Sequence, residues 1–260
     1  MADGWDAGTN YERYMGRWSR RIAAEFVEWL NQPRGLEWLD VGCGTGALSA
    51  TVLERAGPRS LLGVDPSDGF IAHARETIAD PRARFESGSA SAIPAPTASA
   101  DTVVSGLAYN FFPDRPAALR EMQRVVRPGG GVSFYVWDYP GGGMGFMRAF
   151  WNAAEALDPA ARAQTEGVRF PFCTAELLAA EAAAAGFRDV TTRAIEVTAR
   201  FQSFADFWEP FTLGTGPAPA YLVGLEPSAQ AALKRRLEAE LHAPGPVEFV
   251  ARAWAVQSTT

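Results

Sequence analysis

Two residue types that build metal and redox sites are scarce in this chain. There are two cysteines, Cys43 and Cys173, and two histidines, His73 and His242. None stand at metal-ligand spacing, so no metal site is expected. Two isolated thiols fit a reducing compartment. Long apolar runs are also missing: none approaches the roughly 18 residues that a membrane span needs. The opening residues, Met1-Ala2-Asp3-Gly4-Trp5-Asp6, carry no basic patch followed by an apolar stretch. No signal peptide is therefore read, and the expected location is cytoplasmic. Positive charge is short too, with 24 Lys and Arg against 30 Asp and Glu and a net charge of -6. Proteins that bind nucleic acid nonspecifically usually show a basic face. The densest basic stretches, 17–21 and 234–236, lie in helical patterns with acids nearby and read as solvated helix faces. Neither a nucleic acid nor a membrane is an expected partner.

What is present is apolar and alternating. Of 260 residues, 47% are hydrophobic, enough for a sizeable core. Ile22, Phe26, Trp29 and Leu30 recur at helical spacing over 19–30. Short apolar runs at 36–41, 61–65, 83–87, 101–105 and 132–137 predict strands. Patterns at 47–56, 69–79 and 117–126 predict the helices between them, the last ending at Arg127-Pro128-Gly129-Gly130. Such alternation predicts an α/β fold, a doubly wound and mostly parallel sheet of Rossmann-like type with helical cap insertions. Beyond Trp137 helices are expected at 147–157, 174–185, 204–211 and 228–241, and strands at 187–197 and 247–256. The chain reads as a single domain over 1–260. Within it lie an N-terminal lid and helix at 1–35, a cofactor-binding core at 36–137, and cap insertions at 139–173 and 198–246. Right-handed crossovers gather the strand C-termini on one edge, where ligands of open α/β sheets bind.

The strongest chemical signal lies on that edge, in Asp40-Val41-Gly42-Cys43-Gly44-Thr45-Gly46. Glycines let the backbone turn tightly and approach a ligand. Gly42, Gly44 and Ala47 also satisfy the loose dinucleotide spacing, so a nicotinamide site stays open on this signal alone. Asp40 tilts the balance. A carboxylate there repels a pyrophosphate but suits S-adenosylmethionine, which brings a sulfonium and an ammonium. The plainer alternative is that Asp40 only accepts hydrogen bonds from loop amides. Asp65, about 19 residues past Gly46, can take both ribose hydroxyls of an adenosine or, with Pro66 behind it, cap a helix.

At these residues the chain resembles the class I S-adenosylmethionine-dependent methyltransferases, and within them the methyltransferase type 11 group. Residues 39–46 look like that family's first motif. Gly63-Val64-Asp65-Pro66-Ser67 is similar to its second. Arg124-Val125-Val126-Arg127-Pro128-Gly129-Gly130 resembles the turn before its fifth strand. The resemblance spans about 36–137. Residues 11–18 resemble an N-terminal segment of bacterial members, which implies a lid near the cofactor. One departure stands out. Where such enzymes often carry Gly-Asp-Ala for the adenine, this chain has Gly88-Ser89-Ala90, and a serine accepts without charge assistance.

The candidate cofactor set is therefore Tyr14, Asp40, Gly42, Cys43, Gly44, Gly46, Asp65, Pro66, Ser89, Ala90 and Ser105, and the cofactor expected is S-adenosyl-L-methionine. The resemblance implies transfer of a methyl group to a small organic acceptor by in-line displacement. An NAD-linked oxidoreductase and a non-catalytic cofactor-binding member remain as alternatives. No catalytic residue is assigned. Tyr109 and Asn110, after the fourth strand, can touch acceptor or cofactor, or serve packing and turn roles. Asp138, after the fifth strand, is a candidate base. The aromatics Phe146, Phe150, Trp151, Phe170, Phe172, Phe201, Phe204, Phe207, Trp208, Phe211 and Tyr221 pack the caps, and some are expected to line an apolar acceptor cavity.

Overall fold

The computed structural model describes residues 15–214, 216–241 and 245–260. Tyr14 and His242 lie outside the described residues. In chain order the elements run α1 Arg17–Leu30, β1 Glu37–Val41, α2 Ala47–Arg55, β2 Ser60–Asp65, α3 Asp68–Thr77, β3 Ala83–Ser87 and β4 Ala100–Gly106. Then follow α4 Arg115–Val125, β5 Val126–Trp137, α5 Gly145–Leu157, α6 Glu166–Arg169, α7 Ala175–Ala184, β6 Arg188–Phe201, α8 Phe204–Trp208, α9 Pro217–Gly224, α10 Pro227–Glu240 and β7 Val247–Thr259.

Among the described residues these strands form one seven-stranded sheet in the order β3-β2-β1-β4-β5-β7-β6. Strands β1 to β5 pair in parallel, and β7 runs antiparallel to β5. The order reverses between β1 and β4, the switch point where ligands of such sheets bind. The central strands are covered on both faces, so Val41, Val64, Val103, Val104, Val132 and Phe134 are buried. The stripe Ile22, Ala23, Phe26 and Leu30 buries one side of α1, and Phe26 packs on Tyr135 at 4.6 Å between ring centroids. Away from the switch-point edge, Arg127 ties Asp101 (2.6 Å) and Glu37 together. Asp101 also accepts from the Glu37 amide at 2.8 Å. That clamp joins the starts of β1 and β4.

The predicted turn at 127–130 falls inside β5. The pairing steps from Ala100↔Val126 to Thr102↔Gly131, so the turn is an irregularity bulged from the ladder, with Gly129 at φ +78°. Thr174 caps α7 by accepting from the Leu177 amide, and Gly186 follows at φ +92°.

By contacts the chain forms two compact units. One comprises Ser19–Trp137, Phe172–Ile195 and Ala253–Thr260. The other comprises, among the described residues, 15–18, Asp138–Pro171 and those of 196–252. The second unit has its own aromatic core. Phe150 stacks on Phe211 at 4.6 Å, Phe201 meets Phe207 edge-on at 5.4 Å, and Phe146, Trp151 and Tyr221 complete the cluster. Phe146, Phe150, Phe201, Phe207 and Phe211 are fully buried and hold the unit together by packing.

Candidate functional site

The site grows from the end of β1. Past Val41 the chain leaves the sheet, yet its next two amides still reach β2. Gly42 N and Cys43 N both donate to the Val64 carbonyl, at 2.7 and 3.0 Å. The turn is thus pinned before α2 begins. Gly42, Gly44 and Gly46 all have positive φ (+73°, +54° and +90°), where side chains are disfavoured. Their surroundings differ. A Cβ at Gly42 would lie 2.5 Å from Ala108 Cβ, and one at Gly46 2.4 Å from Ile78 Cδ1. At Gly44 nothing lies within 4 Å of that position. Packing against Ala108 and the Phe112 ring therefore requires glycine at 42, a side chain at 46 would meet the movable end of Ile78, and the middle position faces open room.

Asp65 holds the turn from β2. Its Oδ2 accepts from the Gly44 amide at 3.0 Å and its Oδ1 from the Ser67 amide at 2.9 Å. Burial raises its pKa, opposed by these two donors. It is not a helix cap. Ser67 caps α3, accepting from Phe70 N at 3.3 Å, and Pro66 is exposed. Asp65 keeps 8% exposure.

Asp40 is fully buried. Its Oδ2 accepts from Ser49 Oγ at 2.7 Å, and its Oδ1 has no hydrogen-bond partner among the described residues. Its partner is therefore a hydroxyl in the first turn of α2, and the charge expected of it is only partly present. Burial, with the Asp65 charge adding, pushes Asp40 up to about 7. Cys43 is buried beside both acids, and burial first, then their charges, raise its pKa and keep it a thiol.

Asp40, Gly42, Cys43, Gly44, Gly46 and Asp65 thus come together at one strand edge. The stretch holding Ser89 and Ala90 follows closely, because Gly88 N donates to the Asp65 carbonyl at 3.1 Å. Ser89 is exposed, its Oγ 3.0 Å from Ser91 Oγ. Ser105 is fully buried at the end of β4, with its Oγ unpartnered among the described residues.

Sequence reasoning missed Ser49, although a serine on the buried face of α2 with Leu48 and Val52 was a visible signal. It also missed Glu181, which accepts from the Tyr109 hydroxyl at 2.7 Å and pairs with Arg115 at 2.7 Å. No local pattern announces a partner 72 residues away. Asp138 requires a correction. It is 1% exposed and lies in an ion pair with Arg252, with Oδ2 accepting from Nη2 at 2.6 Å and Nε at 2.7 Å. Its Oδ1 accepts from the Gly141 amide at 2.8 Å. A carboxylate so engaged is a structural anchor rather than a base.

A buried carboxylate, a glycine turn open at its middle residue and a second carboxylate on the next strand stand together on the edge where Rossmann-like α/β sheets bind their ligands. Residues 39–130 match the family model described as a methyltransferase domain. Over those residues the chain is similar to methyltransferase domains.

Among relatives, a malonyl-(acyl-carrier protein) O-methyltransferase of Erwinia pyrifoliae is 36% identical over 44% of this chain and 42% of that protein. A demethylmenaquinone methyltransferase of Deinococcus radiodurans is 33% identical over 49% of this chain and 52% of that protein. The chain spans about half the length of the curated relatives it matches. The solved phosphoethanolamine N-methyltransferase 2 of Haemonchus contortus in complex with S-adenosyl-L-methionine superposes with a TM-score of 0.61 at 16% identity. It covers 98% of this chain and 57% of that one. The (4+2)-cyclase SpnF superposes with a TM-score of 0.56 at 20% identity, covering 93% and 80%. These likenesses establish the shared fold. No helix among the described residues is long and apolar enough to cross a membrane.

Proposed function

We propose that this protein transfers a methyl group from S-adenosyl-L-methionine to a small organic acceptor, in the cytoplasm. The observation that carries the reading is the open Gly44 position beside the Asp65 carboxylate, on the switch-point edge of the family-matched segment. The donor set suits the cofactor. Asp65 would accept the ribose hydroxyls, the bare turn at 42–46 would admit the middle of the cofactor, and Asp40 would supply negative charge toward its cationic groups. When bound, the cofactor supplies a sulfonium-activated methyl group for in-line displacement. The chain's part is then to align the acceptor and exclude water, for which no base is obligatory. The layout read from sequence, a single domain with an N-terminal lid and helix at 1–35, a cofactor-binding core at 36–137 and cap insertions at 139–173 and 198–246, belongs to the same proposal. In its support, the family match ends at residue 130, before the aromatic segments begin.

Titration calorimetry tests the reading. S-adenosylhomocysteine should bind and NADH should not; binding of NADH alone would reverse it. The fold also carries a cyclase, so binding by itself leaves a second reading, a member without methyl transfer. A labelled-methyl screen over phenols, amines, acids and activated carbons decides between them. The names of the relatives place acids and quinone-type rings first in that screen.

Asp65→Ala should weaken S-adenosylhomocysteine binding by about 1–3 kcal/mol, since charge-assisted acceptors for the ribose are lost and the Gly44 amide is released. An unchanged dissociation constant would remove Asp65 from the site.

Asp40 adds a pH dependence. With its pKa raised to about 7, the neutral carboxyl is the form the unliganded fold prefers. Its stabilising contribution is full below the unfolded value of 3.8 and is lost as pH rises through 7. The ammonium group of the ligand's amino-acid tail, placed nearby, favours the ionised form. Affinity for S-adenosylhomocysteine should therefore rise about tenfold from pH 6 to pH 8, with proton release on binding. Asp40→Asn should flatten both trends. A pH-independent wild-type affinity would separate Asp40 from the ligand.

A further inference from the structure

The turn after β4 holds a buried polar group that the fold does not satisfy. Asn110, in the short 3-10 turn Tyr109–Phe111, is 5% exposed, and its Nδ2 has no acceptor among the described residues. Buried amide groups left unpaired are costly, so such a group calls for an explanation.

Its neighbours fix it in place. Tyr109 is fully buried, stacks on Phe134 at 4.3 Å between centroids, and donates its hydroxyl to Glu181 Oε2 at 2.7 Å. Arg115 grips both oxygens of Glu181, Nε to Oε2 at 3.0 Å and Nη2 to Oε1 at 2.7 Å. It lies over the Phe172 ring at 3.5 Å. Burial and the Glu181 charge raise the Tyr109 pKa, so its proton stays in that hydrogen bond. The same turn presses on the glycine turn, because Ala108 and Phe112 are the atoms that exclude a side chain at Gly42.

Sheet order then says which part of a ligand would meet Asn110. Strands β2, β1 and β4 are successive neighbours. Asp65 ends β2, the glycine turn follows β1, and Asn110 follows β4. A ligand with its ribose at Asp65 and its middle on the glycine turn extends its far end toward β4. The far end of S-adenosylmethionine is an amino acid, with one cation and one anion. Asp40 suits the cation, and an N–H donor suits the anion.

We propose that Asn110 binds the carboxylate of the cofactor's amino-acid tail through its side-chain amide, and that the Tyr109–Glu181–Arg115 clasp is the positioning device that holds it there. The inference rests on the S-adenosylmethionine reading above.

Two probes separate the two claims: S-adenosylhomocysteine, and 5′-methylthioadenosine, which lacks the amino-acid tail. Failure of the wild type to bind S-adenosylhomocysteine would sink the cofactor reading itself. Given that binding, Asn110→Asp should weaken S-adenosylhomocysteine at least about tenfold through like-charge repulsion, and methylthioadenosine less than about twofold. Asn110→Ala guards against a variant that fails to fold, and should give the same selectivity with a loss of about three- to tenfold. Tyr109→Phe should show that selectivity too and be less than additive with Asn110→Ala, whereas a purely structural loss would lower the melting temperature and affect both ligands alike. Asn110 variants that bind S-adenosylhomocysteine within about twofold of wild type, or that lose both ligands equally, overturn the assignment.

Discussion

Gly44→Ala is expected to fold and to lose its ligand, while Gly42→Ala is expected to lose stability first. The contrast follows from what a methyl group would meet. At Gly44 it meets nothing within 4 Å, so the fold feels only the left-handed backbone at φ +54°. That conformation costs an L-residue roughly 1–2 kcal/mol. The methyl then occupies the room assigned to the cofactor, and affinity for S-adenosylhomocysteine should fall at least about tenfold, or about 1.4 kcal/mol. At Gly42 the same methyl sits 2.5 Å from Ala108 Cβ and 3.2 Å from Phe112 Cε1. Overpacking adds about 1–3 kcal/mol to a similar backbone cost. Urea unfolding and calorimetry on both variants measure the two quantities separately. A Gly44→Ala protein that binds as tightly as wild type would mean that the open side of the turn faces no ligand.

Much of the core was legible before the structure. Strands β1, β2 and β4 are short apolar runs closed by glycine or by an acid, and their boundaries in the structure fall within a residue of those read. The glycine turn and Asp65 were visible because ligand contact by bare backbone demands a residue type at fixed spacing. Other features were hidden for physical reasons. Helix α9 is apolar on nearly every face and opens with Pro217, so it shows no 3.6-residue contrast. Strands β6 and β7 run to Phe201 and Thr259, past the expected ends at 197 and 256. Mixed polar and apolar side chains at those ends blurred the alternation that marks a half-buried strand.

Charge states were harder still. The full negative charge read into Asp40 ignored burial, and burial changes its ionisation more than Ser49 restores it. The clasp on Tyr109 joins residues from β4's turn, α4 and α7, and nothing within any one of these segments announces the others.

Asp138 shows how such a distant partner redirects a functional reading, and it yields the second large effect. From sequence it stands one residue past β5, a natural place for a base. In the structure its carboxylate is 1% exposed and gripped by Arg252, 114 residues away. The Arg252 amide donates to Gly143 and the Asp138 amide to the Arg252 carbonyl, so the pair sits inside a backbone clamp. Removing the cation leaves a buried anion without its counter-charge, and breaking such pairs typically costs 3–5 kcal/mol. Arg252 keeps 29% of its side chain exposed, so water recovers part of that loss. Arg252→Met should therefore destabilise by about 3 kcal/mol. Asp138→Asn should cost less, because the neutral amide keeps the Gly141 contact and the part-exposed Arg252 keeps its ion pair with Glu196. S-adenosylhomocysteine binding by the folded fraction should be unchanged in both variants. Methyl transfer per folded molecule, once an acceptor is in hand, should also survive Asp138→Asn. A stable, fully folded Asp138→Asn protein with turnover abolished would return Asp138 to the chemistry. Retained turnover with the predicted stability ranking would fix it as the anchor of this clamp.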